Sequence, residues 1–142
     1  MFIPTPQDEQ LRLTGVPGST PITQTATGGT PAISQGPTAS AGGYDHGVGF
    51  APGGAGRVYA AVINVTAIKT SVGDETYTFH FQESADGSTW VDITTTLAVT
   101  AVGVVAMFAM KRLRYSRLNL VIAGTAPTIT YEAWLNPNTG NH

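Results

Sequence analysis

The stretch ETYTFHFQESADGSTW, residues 75–90, decides how the rest of the chain is read. From Glu75 to Glu83 the side chains alternate without a slip. Tyr77, Phe79 and Phe81 fall on one side, and Thr76, Thr78, His80 and Gln82 fall on the other. A period of two belongs to a pleated strand with one dry face and one wet face. Asp86-Gly87 then supplies hairpin chemistry, glycine for positive φ and aspartate for a local bond to the backbone. Trp90 to Thr94 reads as the short returning strand.

The same reading extends in both directions. Upstream, Arg57 to Ile68 is rich in Val and Ile and predicts a strand, with Gly73-Asp74 as the turn that follows it. Downstream, Leu97 to Met110 is apolar and β-branched. Its Val99, Val102, Val104 and Val105 favour strand over helix, with Gly103 as a bend or bulge. Tyr115 to Ile122 places Leu118, Leu120 and Ile122 on one face. After a turn at Gly124 to Pro127, the last strand runs from Thr128 to Leu135. It alternates Ile129, Tyr131, Ala133 and Leu135 with Thr128, Thr130, Glu132 and Trp134. Strands at this spacing, broken by Gly, Asp and Pro turns, predict an all-β fold. We expect an antiparallel β-sandwich, jelly-roll-like, over residues 57–142.

Residues 1–56 have a different character. They hold 12 of the 17 glycines and 7 of the 9 prolines, and no charged residue occurs between Leu13 and Tyr44. Such a segment buries too little apolar surface to offset its ordering entropy. It is expected to be a long extended N-terminal arm that a neighbouring protein surface orders. Its scattered apolar residues, above all Phe2, Ile3, Leu11, Leu13, Ile22 and Ile33, are the expected plugs into a partner's grooves. Gly42-Gly43-Tyr44-Asp45-His46-Gly47 lacks the Lys-Ser/Thr pair of a phosphate cradle and reads as a joint between arm and domain.

Composition narrows the function. Charged residues make up 11% of the chain and the net charge is -2. That supplies no strong field toward nucleic acid or an anionic membrane, and a sparse surface charge suits a protein packed among partners. There is no cysteine. No 18-residue apolar run predicts a membrane helix, and MFIPTPQDEQ has the form of no secretory leader. Synthesis in the cytosol is the expectation.

A catalytic or metal site is not expected either. His46 lies in the arm, His80 on the polar face of a strand and His142 at the terminus. No pair has metal-ligand spacing, and the serines lie in turns and in the arm without a nucleophile elbow. No cofactor is called for. The basic cluster Lys111, Arg112, Arg114 and Arg117 lacks the aromatic platform of a nucleic-acid site. It reads as a solvated face or as an ion-pair face for an acidic neighbour.

Two resemblances follow from quoted motifs. SADGSTWVDI (84–93) with RLRYSRLNL (112–120) resembles the strand-turn-strand elements of discoidin-like, galactose-binding-like sandwiches. That resemblance implies carbohydrate binding, with Trp90 or Trp134 as sugar platforms. The ordered set VTAI (65–68), GDETYTFHFQESADGSTW (73–90) and RYSRLNLVIAGTAPTITYEAWL (114–135) is similar to small head proteins of tailed bacteriophages, the decoration or cement proteins. That similarity implies a non-enzymatic virion protein on the outer surface of the capsid. It would bridge and stabilise subunits of the major capsid protein and associate with itself as a dimer or trimer. Arg112 and Arg114 would contact acidic shell residues. A structural accessory of the tail is the remaining alternative.

Overall fold

The computed structural model describes residues 21–29, 44–45 and 57–137. The described residues are all-β, and the expected sandwich is what they build. Ten strands follow in chain order: β1 Ile22–Gln24, β2 Gly28–Gly29, β3 Tyr44–Asp45, β4 Arg57–Ile68, β5 Thr76–Ser84, β6 Val91–Asp92, β7 Leu97–Ala98, β8 Gly103–Lys111, β9 Tyr115–Ala123 and β10 Ile129–Pro137. One sheet has the order β1-β10-β4-β8. The other has the order β2-β9-β5-β6, with β3 also on β9 and β7 also on β5. Every pairing is antiparallel. The five long strands, β4, β5, β8, β9 and β10, alternate between the sheets, so each connection crosses the core.

The core follows directly from the two-residue period. One sheet points Tyr59, Ala61, Ile63 and Val65, Met107 and Ala109, and Ile129, Tyr131, Ala133 and Leu135 inward. The other answers with Tyr77, Phe79 and Phe81 and with Leu118 and Leu120. Phe79 meets Tyr131 edge to face, with ring centroids 5.1 Å apart, the geometry that the ring quadrupoles favour. A bulge between Thr130 and Tyr131 sets Tyr131 opposite Val65 after Thr130 opposite Ala67. Thr66 is the extra residue, and the inward alternation resumes after it.

The chain from Pro21 to Gly29 crosses from one sheet to the other. β1 lies on β10, with Ile22 opposite Tyr131, and β2 lies on β9, with Gly28 opposite Leu120. Between them the Thr27 hydroxyl accepts the Ile122 N–H at 2.9 Å and reaches the Ile122 carbonyl at 3.2 Å. The buried Tyr131 hydroxyl donates to Gln24 Oε1 at 2.9 Å, and burial pushes the Tyr131 pKa upward. This stretch, read from sequence as arm, laces the two sheets together along one side.

Candidate interaction surface

Four edges bound the two sheets, and short strands cover part of three of them. β1 covers β10, β2 and β3 cover β9, and β6 and β7 cover β5. The fourth edge belongs to β8, which has β4 on one side and no strand on the other among the described residues. The outward face of this strand is apolar. Val104 is 67% exposed, Phe108 58% and Met110 40%, and Val102 just before the strand is 60% exposed. Ala106 between them is exposed as well. Contiguous apolar side chains left in water are the usual mark of a contact surface.

The run from Leu97 to Met110 hid this surface from sequence reading. Both faces of β8 are apolar, so the alternation that distinguishes core from solvent is absent. Parity with β4 settles it, because Val105, Met107 and Ala109 face the core and the even-numbered residues face out.

The four basic residues of 111–117 do not form one patch. Lys111, expected on a solvated face, is fully buried. It shares the parity of Met107 and Ala109, so its side chain points inward, and its Nζ donates to the Leu113 carbonyl. Nearby, Glu83 Oε1 accepts the backbone N–H groups of Arg112 (2.8 Å) and Leu113 (3.0 Å). This carboxylate at the end of β5 thereby pins the β8–β9 turn. Arg112 is exposed, and its Nη2 lies 3.5 Å from Met110 Sδ, so its charge stands at the end of the apolar strip. Arg114 lies over the Tyr115 ring at 5.1 Å.

On the outer face of the second sheet, Arg117 lies over Trp90, 4.4 Å from the ring centroid. Its Nε donates to Gln82 Oε1 at 2.9 Å, and Gln82 Nε2 donates to Asp92 Oδ1 at 2.8 Å. Asp92 Oδ2 meets His80 Nδ1 at 2.9 Å. Burial pushes the Asp92 carboxyl up, but the bonds from His80 and Gln82 and the His80 charge hold it below its ordinary value. The chain of contacts fixes β6 against β5 and β9.

Of the two proposed sugar platforms, Trp134 is corrected outright. It lies on the outward side of β10, opposite Val62, yet is 1% exposed. Covering an indole removes a large apolar area from water. Trp90 is half-buried with the Arg117 guanidinium on its ring, and its indole N–H is buried without a hydrogen-bond partner among the described residues.

Of the expected plugs, Ile22 packs against the sandwich's own core. Phe2, Ile3, Leu11, Leu13 and Ile33 lie outside the described residues, as do His46 and His142.

The turn that carries Trp90 has its own acid-sensitive clasp. Asp86 Oδ1 accepts the N–H groups of Thr89 (2.9 Å) and Ser88 (2.8 Å) and the Ser84 hydroxyl (2.9 Å). Those bonds, the two backbone ones first, hold the Asp86 pKa down from 3.8 to about 2. A carboxylate lowered in the folded state stabilises it fully above the unfolded pKa and loses that contribution as pH falls through the folded one. The window therefore runs from pH 3.8 down to about 2. Asp86→Asn keeps an acceptor but cannot titrate, so its stability should fall less steeply across that window than the parent's. Urea melts at pH 4, 3 and 2 check this, and parallel curves would refute it.

No protein-family model and no curated protein sequence matches the chain.

Proposed function

We propose that the chain is a non-enzymatic structural protein of a tailed-phage virion, a decoration or cement protein on the outer surface of the head. The observation that carries this reading is the apolar outward face of β8, with Val104, Phe108 and Met110 in water and Arg112 at its end. A surface of that kind suits a partner with an apolar groove and an acidic rim, and the major capsid protein of an assembled shell is the proposed partner. A protein that binds only the assembled lattice stabilises it by mass action, and many copies multiply a modest contact. The undescribed residues of the arm, with Phe2, Ile3, Leu11, Leu13 and Ile33, would extend the grip.

Immunogold labelling of virions produced by the encoding genome tests the location. Label on the head is expected, and label on the tail alone, or none, would overturn the reading. Phe108→Ser and Met110→Ser together should weaken binding to undecorated heads by roughly tenfold or more, since each removes an exposed apolar anchor that the contact would bury. Co-sedimentation at a series of protein concentrations reads this directly. Unchanged occupancy would remove β8 from the contact.

A further inference from the structure

The outward face of β8 offers side chains, but its far edge, which no strand borders among the described residues, offers backbone, and the two surfaces can hold different occupants. We infer that the β8 edge pairs antiparallel with the β8 edge of a second copy of this chain, joining two four-stranded sheets into one of eight strands. This rests on the reading of β8 as a contact surface and names the partner of its edge.

Three observations carry it. First, every other sheet edge carries at least one short strand of the same chain, β10 over Ile129 to Tyr131, and the β8 edge carries none among the described residues. Proteins guard an exposed edge with lysine, proline, a bulge or a short strand. β8 is nine residues long and pairs with β4 in unbroken register from Gly103 to Lys111. Second, no charged residue and no proline occurs from Ile93 to Met110. The one charge within β8, Lys111 at its last position, is buried and points inward, so a second copy of the strand meets no like charge, which would otherwise oppose pairing, and no missing donor. Third, the strand is self-complementary about a two-fold axis. Such an axis perpendicular to the sheet keeps outward side chains outward, so paired residue numbers must share parity. Centred on Ala106, the pairing sets Val104 against Phe108 and Val102 against Met110. These are the β-branched–aromatic and apolar pairs that stabilise neighbouring strands. Centred on Met107 instead, it would set Val102 against Arg112. The inward face matches too, with Val105 against Met107 in a region that already faces the core. The dimer doubles the width of the outward apolar strip, which is then presented across the two-fold axis.

Light scattering on the full chain should give a mass of twice 14.8 kDa. The chain has no cysteine, so a single introduced thiol reports geometry cleanly. Residues directly opposed across antiparallel strands have Cβ atoms roughly 4.5–5.5 Å apart, close to disulfide reach. Ala106→Cys should therefore oxidise to a covalent dimer and Val104→Cys should not. Ala106→Lys places two ammonium groups face to face at an exposed position and should raise the dimer dissociation constant by roughly tenfold or more, with an unchanged circular dichroism spectrum. If that variant does not fold, the cysteine pair decides. A monomeric parent overturns the inference, and so does a dimer that ignores Ala106→Lys and crosslinks through position 104 rather than 106. A monomer that still labels virion heads leaves the decoration reading intact, and a dimer that labels no head leaves this inference intact.

Discussion

Gly124→Ala is expected to cost about 2–5 kcal/mol of folding stability, a large share of the roughly 5–15 kcal/mol that holds a typical domain together. A Cβ at this position would sit 2.6 Å from Glu75 Cα, 2.7 Å from the Asp74 carbonyl and 2.9 Å from Glu75 N. All three are backbone atoms, so no side chain can swing aside. Gly124 also has φ of +115°, which a side chain strains. The contact is close because two turns are clasped there. Asp74 accepts the Thr125 N–H with both oxygens at 3.1 Å and the Thr125 hydroxyl at 2.7 Å, bonds that hold its pKa below the ordinary value. Behind them the Tyr77 hydroxyl donates to the Lys69 carbonyl at 2.7 Å and accepts the Thr128 N–H at 3.0 Å. Pushing the 124–128 turn away loosens both. Gly73→Ala is the control, since Gly73 also has positive φ (+96°) but nothing lies within 4 Å of its added Cβ. It should cost only about 1 kcal/mol. Guanidinium melts of the two variants compare the terms directly, and equal losses would show that strain, not the collision, dominates.

The sequence announced the clasp only in part. Gly124 stood out as a turn residue, but its approach to Asp74 and Glu75 joins residues some fifty positions apart, which no local pattern encodes. The long strands were legible because burial on one face writes a period of two. β5 shows it in Tyr77, Phe79 and Phe81, and β9 in Leu118 and Leu120. β4 appears with the bounds expected for it, Arg57–Ile68. Where periodicity failed, so did the reading of the surface. β8 is apolar on both faces, so its exposed side could not be separated from its buried one. Lys111 followed the parity of its strand rather than the habit of its residue type. Trp134 occupied a polar alternation position and was buried all the same. β1 and β2 were illegible for another reason. They are three and two residues long, sit in a Gly- and Pro-rich segment, and owe their extended form to the strands they lie on.

The lace formed by β1 and β2 is expected to be worth roughly 2–4 kcal/mol, measured as the difference between a chain that begins at Pro21 and one that begins at Thr30. Removing residues 21–29 takes away the Gln24 acceptor of the buried Tyr131 hydroxyl, and an orphaned buried donor costs about 1–3 kcal/mol. It also removes Ile22 from the margin of the core and the paired bonds of Thr27 to Ile122. The entropy of ordering nine residues opposes these terms and keeps the net well below their gross sum. A second effect follows from topology. Without β1 the β10 edge loses its cover over Ile129 to Tyr131, and without β2 the β9 edge keeps only β3 among the described residues, so the shorter chain should associate more strongly as its concentration rises. Chemical denaturation reads the first effect and light scattering the second. A deletion through residue 40, the natural way to remove the arm, would therefore confound loss of attachment with loss of the sandwich's own side. Attachment is better tested on the chain that begins at Pro21. If the chains beginning at Pro21 and Thr30 unfold at the same midpoint and both stay dispersed, the lace only rests on the sandwich. Ile22 would then rejoin Phe2, Ile3, Leu11, Leu13 and Ile33 as a side chain available to a partner.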